Sequence, residues 1–282
     1  YGESIYFHGG DGDLYVMLFI PSELDWKARG VKVRQETKYP DEAATKLTFT
    51  CEKPAELRLQ LRHPHWAANG VQVKINGKPE PVTSRPGSLF AVSRTWKTGD
   101  TLEVETPMSL RTEAFKDNPA RFAILCGPIV LCTETEPREK TSCFIGDVAS
   151  VPSLLKPGAG RPLTFTAPAA SFRRGFGEAK GEVTFVPFFR EFTKPYVVYW
   201  DALTDEGWTA KGAAWRAERA RELAMDARTT DRVKIGDAAS ERQHDLKGER
   251  TQSGDFAGRH WRHAVGGGWF SFQMKVPAEG SA

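Results

Sequence analysis

The chain has 282 residues, enough for about two domains at the usual size of roughly 100–200 residues each. Hydrophobic residues make up 40% and charged residues 27%, a globular balance that excludes a disordered polymer; no run approaches the ~20 consecutive apolar residues of a bilayer span, so no membrane partner is expected. Net charge is +3, with 39 basic residues spread among 36 acidic ones. The one dense basic stretch, 215–228, is interrupted by Glu218, Glu222 and Asp226, which makes it a solvated helix face and excludes a nucleic-acid surface.

The chain opens on Tyr1 with no initiator Met, charged leader or apolar signal segment, and it closes at 276–282 directly after a strand. Both ends read as cut ends, so the missing leader says nothing about where the protein resides. From Leu14 onward strand follows strand. Residues 14–20 form an apolar run closed by Pro21-Ser22. Residues 31–37, 46–51 and 57–61 alternate with period two, which predicts half-buried strands. Val71-Gln72-Val73-Lys74-Ile75 runs into Asn76-Gly77, the strongest short hairpin signal. Residues 89–92 and 101–104 flank the turn Thr98-Gly99-Asp100, and 107–111 and 122–132 complete the series. Short strands with turn signals every ~8–12 residues predict an antiparallel β-sandwich over 13–134.

Residues 135–162 are polar and broken by Pro152, Pro157, Gly158 and Gly160, and are expected to form a linker or long surface loop. Strand patterns resume at 163–166, 183–186 and 196–200, giving a β segment of a second accessory domain over 163–203. A helix is predicted over 206–228, within a helical region 204–229 that Thr204 or Asp205 caps. Trp208, Trp215 and Leu223 fall near one face of it, seven and eight apart. The remainder, 230–282, is expected to be an incomplete, jelly-roll-like β region ending in an alternating strand over 268–276.

Signatures of chemistry are sparse. There is no GxSxG, HExxH, Walker or dinucleotide motif. Gly266-Gly267-Gly268 precedes a strand, so it predicts a tight β-turn and not a phosphate cradle. In His63-Pro64-His65 the proline favours an extended backbone that sends the two imidazoles to opposite sides, against a shared metal. His260, His263 and His244 make a better polar site, with hydrogen bonds to backbone as the plain expectation. Cys51, Cys126, Cys132 and Cys143 lack metal-ligand spacing. Cys51 and Cys126 are expected to be buried thiols, and pairing of Cys132 with Cys143 is left open. Paired carboxylates do the work of glycoside hydrolysis, but Asp11, Asp13, Asp41, Glu42, Asp100 and Asp117 belong to turns and surfaces and no pair stands out. Eight tryptophans offer apolar faces for a sugar ring, Trp261 and Trp269 first among them. No residue is assigned a catalytic, metal, cofactor-binding or substrate-binding role.

In blocks, the chain resembles glycoside hydrolase family 127. Tyr1-Gly2-Glu3-Ser4-Ile5-Tyr6, then Leu14-Tyr15-Val16-Met17-Leu18-Phe19-Ile20-Pro21-Ser22, is similar to the family's passage from the last helix of an α/α barrel into a β-sandwich. Arg62-His63-Pro64-His65-Trp66, Val73-Lys74-Ile75-Asn76-Gly77, Pro107-Met108-Ser109-Leu110-Arg111 and Gly127-Pro128-Ile129-Val130-Leu131 follow in order. Pro187-Phe188-Phe189-Arg190, Gly258-Arg259-His260-Trp261-Arg262 and Gly267-Gly268-Trp269-Phe270 are similar to appended domains of long members.

The resemblance implies a mainly β protein with a stub of the barrel helix over 1–12. Residues 1–8 would then be helical, with an apolar face at Ile5 and Tyr6 or Phe7 that lacks its partner. It also implies a bacterial glycosidase acting on β-L-arabinofuranosyl or related linkages, whose cysteine nucleophile and zinc, held by cysteines and a glutamate, lie in the barrel. None of this chain's four cysteines stands at a matching position, so no cofactor is expected in it and the chain alone is expected to be inactive. The partners implied are the α/α-barrel domain, a glycan and a second copy of the chain. The alternative is a non-catalytic carbohydrate-binding or protein-interaction module. Secretion or a periplasmic location rests on analogy alone.

Overall fold

The computed structural model describes residues 2–10, 12–136, 142–177 and 179–276. It divides into two compact units, Tyr1–Trp208 and Thr209–Ala282.

A four-residue helix, α1 (Gly2–Ile5), leads into β1 (Tyr6–Gly9) and β2 (Asp13–Val16). There follow β3 (Ser22–Trp26), β4 (Val31–Thr37), β5 (Ala44–Cys51), β6 (Ala55–His63), β7 (Gln72–Ile75), β8 (Lys78–Glu80), β9 (Ser88–Trp96) and β10 (Thr101–Glu105). They form two sheets, ordered β1-β2-β6-β9 and β3-β4-β5-β10-β7-β8. One core lies between them: Leu14, Leu59, Leu61 and Trp96 from the first sheet meet Val33, Leu47, Phe49 and Leu102 from the second. This is the expected sandwich. The alternation read in 31–37 is the burial alternation of β4, whose Val31, Val33 and Gln35 point inward. Asn76 (φ 50°) and Gly77 (φ 76°) both take positive φ between β7 and β8, the two-residue hairpin turn that Asn-Gly favours. One pairing departs from the antiparallel expectation: β2 runs parallel to β6, because three strands of the opposite sheet intervene between them in the chain.

The N-terminal segment differs from the helix expected over residues 1–8. Tyr1 lies outside the described residues, and the helix ends at Ile5. Tyr6–Gly9 pairs with β2, Phe7 stacks on Tyr15 at 4.3 Å, and the buried Tyr6 shares a hydrogen bond with Ser22 (3.0 Å). The aromatic residues that suggested one face of a helix serve a strand instead, and Ile5 packs against the sandwich core, so this apolar face has a partner.

Residues 110–134, expected within the first sandwich, belong to a third sheet. Its early strands are β11 (Leu110–Ala114), β12 (Arg121–Cys126), β13 (Ile129–Glu134) and β14 (Cys143–Ile145); a short helix, α2 (Val151–Leu154), follows. Then come β15 (Lys156–Pro157), β16 (Phe165–Pro168), β17 (Phe172–Arg173), β18 (Glu182–Pro187), β19 (Tyr196–Val197) and β20 (Tyr199–Leu203). Phe122, Phe144, Phe172, Phe185 and Trp200 fill a core of their own. Within the expected linker, 137–141 lie outside the described residues. Its described part is no linker: β14 inserts beside β20, and Val151 and Leu155 are buried. The apolar positions there come singly or in pairs, too few for a periodic signal.

Helix α3 (Asp205–Arg228), whose first turn closes the first unit and whose remainder opens the second, matches the predicted helix, and the Thr204 hydroxyl accepts a hydrogen bond from the Gly207 amide at its start (3.1 Å). Trp208 stacks on Phe176 at 4.8 Å, whereas Trp215 and Leu223 are exposed. Helix α4 (Ala238–Gln243), capped by Asp237, precedes a long hairpin of β21 (Lys247–Phe256) and β22 (Arg259–Ser271). The strand expected over 268–276 is thus the end of β22 and stops at Ser271, and 277–282 lie outside the described residues. Gly266-Gly267-Gly268 makes no turn. It lies inside β22 where the register slips opposite Arg250, and a Cβ on Gly268 would sit 2.5 Å from the Glu249 carbonyl.

Candidate functional site

Three of the cysteines sit where the neutral thiol is favoured. Cys51, Cys126 and Cys132 are free thiols, so Cys132 is not half of a disulfide with Cys143. Burial pushes the Cys126 thiol up, and burial together with the nearby carboxylates of Glu191 and Glu134 pushes Cys132 up to about 11. Cys51, expected to be buried, is only half-buried, because it is the last residue of β5 and packs at the margin of the sandwich core; partial burial, then Asp100, raise its thiol. A reactive cysteine needs the opposite, a nearby cation or helix N-terminus that stabilises thiolate.

His63 and His65 separate as their Pro64 linkage implied. His63 is buried at the end of β6, where Nε2 donates to the Ala67 carbonyl (2.9 Å) and Nδ1 accepts from the Ser84 hydroxyl (2.8 Å). Both nitrogens are committed to protein. His65 is exposed at the edge of the cleft described below.

The other histidines lie around the hairpin. His244 faces two acceptors, the Ser240 carbonyl at Nδ1 (2.6 Å) and an Asp231 carboxylate oxygen at Nε2 (2.9 Å), a setting that favours the imidazolium form, which donates at both nitrogens. The Ser240 carbonyl, then Asp231, hold its pKa above the ordinary imidazole value. The Lys275 amide, then His244, hold Asp231 down at about 2. Beside them Arg262 forms a two-pronged ion pair with Glu241 (2.9 and 2.6 Å), with side chains only 9% and 5% exposed. Trp261 covers Gly254 on the opposite strand, and its ring lies 5.0 Å from that of His263. Trp261 and Trp269 are 40% and 48% exposed. These groups fasten the hairpin to α4, and each polar atom named already has a protein partner. Among the carboxylates singled out from sequence, Asp11 lies outside the described residues, and Asp100 is drawn into the Asn76 turn (2.8 Å).

A cleft of about 700 Å³ opens between the two cores of the first unit. One wall is the segment 17–19 after β2, Tyr39-Pro40 after β4, and Arg62 with 64–66 at the end of β6. The other is Arg111 and Glu113 of β11, Leu125, Pro128 in the turn before β13, Ile129 at the start of β13, and Phe189. Asp41 pairs with Arg190 beside it and ties the walls together. Tyr39 and Trp66 stack with centroids 6.5 Å apart at 30°, and Phe19 meets Tyr39 edge-on. Burial raises the Tyr39 phenol, against the opposing charge of Arg62. Sequence reasoning quoted Arg62, Trp66 and Arg111 only as parts of separate blocks. Nothing in their spacing indicated that they converge.

The resemblance places zinc in the barrel domain. Among the described residues no three His, Cys, Asp or Glu side chains gather around one point, and burial favours the protonated thiol at Cys126 and Cys132.

Residues 13–108, most of the two-sheet sandwich, match the family model described as β-L-arabinofuranosidase, GH127 middle domain. The chain is GH127-like and related to the β-L-arabinofuranosidases. Over 116 residues it is 28% identical to the non-reducing end β-L-arabinofuranosidase of Bifidobacterium longum subsp. longum, a stretch covering 38% of this chain and 17% of that protein. Over 72% of this chain its fold is similar to a part, 35%, of a GH127 β-L-arabinofuranosidase from Geobacillus stearothermophilus (22% identity, TM-score 0.54). A second GH127 β-arabinofuranosidase aligns at 20% identity and TM-score 0.52, over 71% and 36%. The chain thus spans well under half the length of these relatives. Residues 224–282 match a family of unknown function, DUF6805.

Proposed function

We propose that this chain is the accessory, non-catalytic β-scaffold of a glycoside hydrolase acting on L-arabinofuranosyl or related glycan linkages, and that its partner is an α/α-barrel catalytic domain. One observation carries the reading: the stretch matching the GH127 middle domain, 13–108, coincides with the sandwich whose core runs from Tyr6 to Val104. Groups suited to covalent or acid–base chemistry support it by how they are used. The Cys126 and Cys132 thiols are held protonated, and His63 spends both nitrogens on Ser84 and Ala67.

The test is hydrolysis of p-nitrophenyl glycosides, L-arabinofuranosides included, by the 282-residue chain and by a longer protein that adds the barrel domain. Cleavage by the longer protein alone is the expected result. Turnover by the 282-residue chain would overturn the proposal and return attention to its carboxylates.

A further inference from the structure

A scaffold has no need of the cleft between Trp66 and Phe189. We propose that it binds an acidic oligosaccharide, a chain bearing uronate sugars, with a sugar ring against the aromatic wall and its carboxylate on Arg62.

A sugar ring offers an apolar C–H face and polar groups all around its edge, so its site needs an aromatic surface and polar side chains arriving from more than one side. The cleft has both. Tyr39 and Phe19, both half-buried, form the aromatic wall, backed by the buried Trp66, and Phe189, 51% exposed, stands across from them. Polar groups come from both walls: Arg62 and His65 from the end of β6, Arg111 and Glu113 from β11. Arg111 is fixed in place, its Nε and Nη2 donating to the Gly127 carbonyl (3.3 and 3.2 Å) and its Nη1 to Glu113. A side chain already held loses little freedom when a ligand arrives.

Charge selects among sugars. The lining holds two guanidinium groups and one carboxylate, and that carboxylate is taken by Arg111. Arg62 makes no hydrogen bond or ion pair among the described residues. A neutral glycan would leave its charge unanswered, whereas a uronate carboxylate matches its two-pronged donor geometry.

The inference stands on the lining of the cleft and not on hydrolysis, so it and the scaffold reading fail separately. Trigalacturonate is titrated into the 282-residue chain by calorimetry and tryptophan fluorescence, with galactotriose as the neutral match and acetate as the plain anion. Saturable binding of trigalacturonate is expected, weakening as salt rises. Arg62→Ala should weaken it about tenfold and Phe189→Ala about threefold. Both side chains are exposed, so the thermal midpoint should not move. Four results would overturn the proposal: no saturable binding, equal affinity for galactotriose, full competition by equimolar acetate, or binding indifferent to both substitutions.

Discussion

The strand pairs β6/β9 and β21/β22 each join nine residue pairs, yet they are stabilised in opposite ways. β6 turns Leu57, Leu59 and Leu61 into the sandwich core, all essentially without solvent contact. β21 and β22 bury no apolar side chain. A two-stranded ribbon is marginal in water on its ladder bonds alone. The hairpin instead leans on the Glu241–Arg262 pair, the His244–Asp231 contact and Trp261 lying over Gly254. A backbone ladder is common to both regions. What differs is whether apolar area or a few polar contacts make it worth forming.

The comparison breaks most visibly at the sandwich core. Trp96 has no exposed surface and stacks on Phe49 at 4.0 Å. Trp96→Ala should cost about 3–5 kcal/mol in chemical unfolding of the first unit, lost burial and cavity together. A cost below about 1 kcal/mol would mean that the two sheets do not share this core. In the hairpin no apolar truncation should cost as much. Its largest loss is expected from Glu241→Gln, which leaves Arg262 facing a neutral amide. Breaking a well-buried pair costs about 3–5 kcal/mol, but the small hairpin unit leaves water close by, so about 2 kcal/mol is expected. The change should appear as earlier melting of the hairpin's amide signals with the sandwich unaffected. A uniform shift of both regions would defeat it.

Much of this division was legible in the sequence, and the missing parts have physical reasons. Period-two alternation found β4 to β6, and Asn76-Gly77 found its hairpin, because those signals are local. Helix formers without interruption found α3 almost to the residue. Sheet membership is not local. Phe122 and Leu131 have the same apolar character as Leu59, and nothing in their neighbours says that they fill a second core. The imidazoles near the hairpin were noticed, but Glu241 and Asp231, which give Arg262 and His244 their roles, are ordinary charges until the chain folds back. The cleft was the least legible, since its walls are drawn from widely separated segments.

A smaller effect sharpens the picture of the hairpin. A Cβ on Gly254 would lie 2.4 Å from the Trp261 ring, so Gly254→Ala must push the indole off the strand. Trp261 is 40% exposed and free to swing outward, which limits the cost to about 0.5–1 kcal/mol. A red-shifted tryptophan emission with little change in melting is the expected signature. A loss as large as that of Glu241→Gln would place Trp261 among the main fastenings instead.

The least of the expected effects is one of protonation. His244 has a raised pKa, so its contribution is complete below the ordinary imidazole value of about 6.5 and is lost as pH rises through the folded-state value. Asp231 works in the other direction: held down at about 2, it contributes above the ordinary carboxylate range and fails only as pH falls through about 2. The contact is therefore complete from about pH 4 to pH 6.5 and loosens on the alkaline side. The groups facing the ring are the Ser240 carbonyl, the Asp231 carboxylate and the opposing charge of Lys275. When the proton leaves, one nitrogen meets an acceptor with nothing to donate. The strand end held there by the Gln273 amide on the His244 carbonyl and the Lys275 amide on Asp231, both 2.7 Å, should loosen with it. Amide shifts of Gln273 and Lys275 followed from pH 5.5 to 8.5 should titrate together in the wild type and stay flat in His244→Gln. Identical profiles in the two proteins would assign the transition to another group and leave Glu241–Arg262 as the main polar fastening of the hairpin.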